Sequence, residues 1–188
     1  MFDAQCDLAA LVYEAGQDPD RLLLAFAADL QRQGLRPVGL VQRGHHDAGA
    51  AALPALLLHT GEEFDLFQDA AAYTAGRRLD VEKLAQARAR MTTAVSEGAD
   101  LLIVNRFGRQ ELEGRGLAHL IEHALAADVP VVVPVPAFRF DDWIKYVEGM
   151  CVKLACERSA LDAWWARVID RDGRTPPPVQ RNVCEALK

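Results

Sequence analysis

The chain has no surplus of positive charge, no long apolar run and few cysteines, and each shortage excludes something. Acidic side chains outnumber basic ones, 27 to 21, for a formal net charge of −6. A nucleic-acid footprint needs a basic patch or stripe, so neither DNA nor RNA is an expected partner. The longest apolar stretch, residues 129–135, is strand-sized and interrupted by proline. A membrane-crossing helix needs about 20 apolar residues, so no membrane partner is expected. Residues 1–10 carry Asp3 and Asp7 and no basic side chain, unlike the start of a secretory leader. A cytoplasmic location is the resulting expectation. The four cysteines, Cys6, Cys151, Cys156 and Cys184, are then expected to be reduced and structural. The chain also lacks a G-x-S-x-G nucleophile elbow and a G-x-G-x-x-G turn after a strand.

What is present is enough apolar material for one full core: 51% of 188 residues. The expected organisation is a single domain over residues 1–172 and a proline-containing tail over 173–188. Apolar runs alternate with helical stripes, which points to a mostly parallel sheet covered by helices. Strands are expected at 8–13, 38–41, 101–104 and 129–135. Asp18 as cap and Pro19 at the first helical position begin a helix that Gly34 ends. Asp80 caps a second helix, running to about residue 97. Leu117, Leu120, Ile121 and Ala124 mark a third. Asp141 is expected to cap a helix ending near Gly149, and Ser159 with Asp162 to cap the last one. Residues 55–59 and 63–67 flank Thr60-Gly61-Glu62, the pattern of a β-hairpin hanging off the main sheet. Residues 69–78 read as irregular, and 105–116 as a polar, glycine-bearing loop.

In an open parallel sheet, ligands bind beyond the carboxyl ends of the strands. The loop after strand one, Glu14-Ala15-Gly16-Gln17-Asp18-Pro19-Asp20-Arg21, has the position of a phosphate-binding loop. With residues 101–112 it resembles the small nucleoside-triphosphatase family first described from thermophiles. That family has a strand, GxxGxGKT, a helix, a second strand and a hairpin, then a later acidic motif. Gly108, Glu111 and Leu112 match that acidic motif. The resemblance implies a three-layer α/β, P-loop-NTPase-like domain with an antiparallel hairpin insert.

The departures fall where the chemistry would sit. Aligned without gaps, the phosphate-gripping lysine is Asp20 and the magnesium-holding hydroxyl is Arg21. The first glycine is Glu14, and the glycine before the lysine is Pro19. The magnesium-coordinating aspartate is Asn105, and the acidic base position is Arg106. Two like charges about 4 Å apart repel by about 1 kcal/mol even in water, so Asp18 and Asp20 would oppose a γ-phosphate. No catalytic residue is therefore assigned.

A closer resemblance is to an uncharacterised bacterial family derived from that fold. Val12-Tyr13-Glu14, Gly39-Leu40-Val41-Gln42 and Leu102-Ile103-Val104-Asn105-Arg106-Phe107-Gly108-Arg109-Gln110-Glu111 carry it. Its members often accompany molybdate-transport or nitrogen-fixation genes. The resemblance implies a non-hydrolysing binding or accessory protein. The alternative is a nucleoside-triphosphate-binding or weakly hydrolysing enzyme with a rebuilt phosphate site.

The candidate ligand face joins Glu14, Gly16 and Gln17, then Gln42 and Arg43, then Asn105, Arg106, Gly108, Arg109, Gln110, Glu111 and Arg115. Guanidinium forks suit oxyanions and carboxylates, so a small oxyanion, a nucleotide or a partner protein fits. A homodimer is left open, as are the roles of His45 and His46. His119-Leu120-Ile121-Glu122-His123 matches the H-x-x-E-H zinc-peptidase pattern. The helical stripe turns Ile121 inward and His119, Glu122 and His123 toward water, so no metal or other cofactor is expected. Trp164 and Trp165 are adjacent, and either both pack in the core or one marks a partner surface.

Overall fold

The computed structural model describes residues 7–42, 54–66 and 80–171, without the side chain of Arg109. Buried β-branched and leucine-rich runs supply the strands. These are β1 (Leu8–Tyr13), β2 (Pro37–Gln42), β3 (Ala55–Leu57), β4 (Glu63–Phe64), β5 (Leu101–Ile103), β6 (Val131–Pro136) and β7 (Val152–Ala155). The helices are α1 (Pro19–Arg32), α2 (Val81–Ser96), α3 (Arg109–Leu112), α4 (Ala118–Ala126), α5 (Phe140–Tyr146) and α6 (Arg158–Arg171). The strands form one sheet in the order β4-β3-β2-β5-β6-β1-β7. Pairing is parallel from β2 through β7 and antiparallel for β2-β3 and β3-β4.

Successive strand residues point to opposite faces, so each strand feeds two cores. Leu8 and Ala10 of β1, with Val131, Val133 and Val135 of β6, join Leu84, Met91, Leu120, Ile121 and Trp143 on one face. Ala9, Leu11, Ile103 and Val132 turn to the other, against Leu23, Phe26, Leu30, Leu161 and Trp164. Hence α2, α4 and α5 cover one side and α1 and α6 the other, the expected three-layer arrangement. Both tryptophans of α6 are buried, at 2% and 6% exposure, so both pack in the core. Gly39 is demanded by sheet geometry. A Cβ there would lie 2.2 Å from the Ile103 carbonyl oxygen on the neighbouring strand.

Several boundaries differ from expectation. The hairpin does not hang off the sheet but extends it: β3 pairs with β2 through Leu40–Leu57 and Gln42–Ala55. The stretch after β5 contains the helical turn α3. β7 is absent from the expected strands; it is four residues long and exposes Lys153 and Ala155 on one side. Asp141 sits in the first turn of α5 and does not cap it. A 3-10 turn at Ala137–Arg139 leads in, and no side chain caps the helix. Ser159 likewise lies inside α6, where Arg158 pairs with Asp162 at 2.7 Å one turn on. The expected irregular segment at 69–78 lies outside the described residues. Among the described residues, no helix is long and apolar enough to cross a membrane.

Candidate functional site

The loop between β1 and α1 is a tight turn. The Glu14 amide donates to Gln17 Oε1 at 2.8 Å, and the Gln17 amide donates to the Glu14 carbonyl at 3.1 Å. Gly16 takes φ +89°, which glycine reaches without a Cβ clash. Asp18 Oδ1 accepts the Arg21 amide at 3.0 Å, so the start of α1 is capped by its own carboxylate. Glu14, Gly16 and Gln17 are exposed, and Glu14 and Gln17 bond to each other.

Asp20, in the first turn of α1, is only 1% exposed. Its Oδ2 pairs with Arg106 Nη2 from the loop after β5, on the far side of β6. The Arg106 side chain is 18% exposed, and its guanidinium also lies 5.7 Å from the Tyr13 ring centroid. Arg106 Nε is buried with no hydrogen-bond partner among the described residues. A buried pair of this kind is costly to break from one side, because the surviving charge is left desolvated. Burial pushes the Tyr13 phenol above its ordinary value; the Arg106 charge opposes this and Asp20 adds to it. The Cys156 thiol is pushed up to about 11, first by burial and then by the charges of Asp18 and Asp20. Such a thiol is protonated at neutral pH and a poor nucleophile.

The remainder of the loop is held from inside by Glu111. This carboxylate is 7% exposed. It accepts the Gly108 amide at 3.0 Å and the Leu117 amide at 3.2 Å. Gly116, with φ +62°, passes so close that a Cβ would meet Glu111 Oε1 at 2.4 Å. The Arg115 amide donates to the Gln110 carbonyl at 2.8 Å, while its guanidinium pairs with Glu113 at the surface. Asn105 Oδ1 accepts the Arg106 amide at 2.9 Å. Phe107 follows into the core, 5.0 Å from Trp143 and 5.6 Å from Tyr146 between ring centroids.

Among the described residues, the structure thus joins the end of β1 and the start of α1 to the loop after β5 through Arg106, which pairs with Asp20 and lies over the Tyr13 ring. Arg106 and Arg115 face different carboxylates. Gln42 is buried at the end of β2, and Arg43, His45 and His46 lie outside the described residues. Sequence reasoning placed Asp20 beside a phosphate, and left Tyr13 and Cys156 off the candidate ligand face. The available signal was the paired reversal of sign, an acid where a lysine was expected and a base where an acid was expected. His119 Nδ1 lies 3.4 Å from Glu122 Oε2 at the surface, and His123 Nε2 lies 3.1 Å from Ser96 Oγ. Among the described residues, no three His, Cys, Asp or Glu side chains are grouped to hold a metal.

Against known proteins, the chain is 37% identical over 160 residues to the Molybdenum import ATP-binding protein ModC 2 of Bradyrhizobium diazoefficiens. The match takes in 84% of this chain but 18% of that protein, so the chain spans less than a fifth of its relative's length. No solved structure matches the chain. Residues 8–164 match the family described as Protein of unknown function (DUF2478), and the chain belongs to that family.

Proposed function

We propose that this chain is a non-hydrolysing, P-loop-like accessory domain of molybdenum handling, working by binding at the carboxyl ends of β1 and β5. One observation supports the reading: Asp20, which the ungapped alignment sets at the phosphate-gripping lysine, pairs with Arg106, which it sets at the acidic base position. In the alignment above, the cation that should meet the phosphate is an anion, and its charge is spent on an arginine. The α1 terminus is capped by Asp18 and begins with Pro19, which has no amide hydrogen to offer. In that alignment neither the phosphate-gripping lysine nor the magnesium-coordinating aspartate is kept.

Arg106 is the residue that would receive a ligand. Its buried Nε lacks an acceptor among the described residues, and a guanidinium can exchange one oxyanion for another. A tetrahedral oxyanion, or a carboxylate from a partner protein, would compete with Asp20 for it. The link to molybdenum rests on the similarity to the Molybdenum import ATP-binding protein ModC 2. A nucleotide-binding role is the second reading, favoured by the words "ATP-binding" in that same name.

A thermal-shift screen with ATP, GTP, molybdate, tungstate, sulfate and phosphate, with and without magnesium, separates these readings. A ligand at about 100 times its Kd adds about 2.7 kcal/mol of stability. The expected result is no magnesium-dependent nucleotide response, and an oxyanion response that disappears in the Arg106→Ala, Arg109→Ala double variant. A magnesium-dependent shift with ATP or GTP would overturn the reading in favour of a rebuilt nucleotide site. Silence toward every small ligand would leave the partner carboxylate, tested by capture with the molybdate importer's ATP-binding subunit as bait.

A further inference from the structure

A cleft of about 600 Å³ opens at the other end of the sheet, where β1 begins and α4 faces the connection from α5 to β7. Leu8, Ile121, Leu125 and Val147 line it with hydrocarbon. Met150 stands on its rim at 66% exposure. A large apolar side chain kept in water beside an apolar hollow is a recurring mark of a ligand surface, and methionine adapts to varied shapes. The volume falls within the range of small-molecule sites.

The polar lining is of one sign. Glu122 and Glu148 contribute carboxylates, and Tyr146 contributes a phenol. Asp7 also lines the cleft but is engaged by Arg171. Glu122 contacts His119 of its own helix, with 3.4 Å between Oε2 and Nδ1, and both side chains are 70% exposed, so water screens the contact. Among the described residues, no ion pair engages Glu148, which projects from a left-handed backbone at φ 52°. The Tyr146 phenol is raised by burial, and then by the charges of Glu122 and Glu111, so the field there is negative.

We propose that this cleft is a binding site for an organic cation with an apolar body, an aryl- or alkylammonium compound. The hydrocarbon lies along Leu8, Ile121, Leu125 and Met150, and the ammonium group reaches Glu122 and Glu148. A cation near the Tyr146 ring gains further from its π face. An anion meets two carboxylates; none of the lining residues is a Lys or Arg, and Arg171 beside the cleft is held by Asp7. A second copy of the chain is disfavoured on the same ground, since a symmetric contact would bring two sets of Glu122 and Glu148 together. The site shares no residue with the Arg106 locus, so it stands or falls independently.

The test is calorimetric titration and thermal shift on the full chain with two matched pairs. Phenethylammonium and tryptamine are the cations; 3-phenylpropionate and indole-3-propionate are their anionic counterparts. The cations are expected to bind and raise the melting temperature, the anions to do neither. Glu122→Gln combined with Glu148→Gln is expected to weaken cation binding at least tenfold, and Met150→Lys to weaken it comparably. These side chains are exposed, so the variants are expected to fold; an unchanged circular dichroism spectrum checks this. Raising the salt concentration weakens an exposed charge contact and so lowers the affinity further. The proposal is overturned if neither cation binds at millimolar concentration, if the anions bind equally well, or if the double glutamine variant binds as the native chain does.

Discussion

The two ends of the sheet differ in how they treat charge. At the carboxyl end, Asp20 and Arg106 are drawn inside and answer each other. At the amino end, Glu122 and Glu148 stand around an apolar cleft. One end buries its charges against each other, and the other keeps its carboxylates in solvent, with Glu148 in no ion pair among the described residues. In folds of this kind attention goes first to the strands' carboxyl ends. Here, among the described residues, that end is held closed by an ion pair, and a cleft of about 600 Å³ lies opposite. The same aromatic group touches both: Phe107 adjoins Arg106 in sequence, and Tyr146, 5.6 Å from it, lines the cleft.

The contrast can be broken most forcefully at Arg106. Arg106→Ala strands the Asp20 carboxylate in the interior and should cost about 3 to 5 kcal/mol by urea unfolding. Replacing both partners, Asp20→Leu with Arg106→Leu, should recover most of that loss, because no buried charge then remains. A double variant as unstable as the single one would show that the pair is not the source of the effect. Next in size is Cys156. A thiol raised from 9.0 to about 11 carries about a hundredfold less thiolate at pH 8. Its alkylation by iodoacetamide, followed by peptide mass spectrometry, should be slower than that of an unperturbed thiol by about that factor. The sign for stability follows: the folded state holds this proton more tightly, so the contribution is complete below pH 9 and is lost as pH rises toward 11. Asp20→Asn should speed the alkylation by removing one of the negative charges.

Glu111→Ala should cost about 2 kcal/mol, since two amides lose a buried acceptor. Faster amide exchange at Gly108 and Leu117 would locate the damage. The smallest effect is expected at the cleft. Glu148→Gly should raise stability by up to about 1 kcal/mol, as glycine occupies the left-handed region without strain. That corresponds to about 2–4 °C in Tm for a chain of this size. A fall in Tm would mean that the Glu148 side chain contributes contacts outweighing its backbone strain.

Legibility followed burial. β1, β2, β5 and β6 were readable because continuous apolar runs suit strands covered on both faces. α1 and α2 announced themselves through Asp18 and Asp80, whose carboxylates do cap them. β7 went unread because it is short and lies at the sheet edge, with Lys153 turned outward over the Phe140 ring. The capping expectation at Asp141 missed because the 3-10 turn supplies the entry to α5 instead. At the site, the loops were legible but their joining contact was not. Nothing local to Asp20 or Arg106 says that they meet; only the insertion of β6 between β1 and β5 decides it. The cleft was invisible for the same reason, being assembled from β1, α4 and the segment after α5.

The strand order also has a consequence for how the chain comes into being. β1 leaves the ribosome before either of its partners: Leu8 waits for Val131, and Ala9 waits for Val152. Its two neighbours belong to the final third of the chain. Such long-range pairing closes late and slowly. During synthesis the first strand is an apolar segment without a mate, exposed to aggregation or to chaperone capture until β6 and β7 emerge. A premature stop before residue 155 would therefore cost the first strand its flank as well as removing the last one, and the nascent chain would have no stable place to pause.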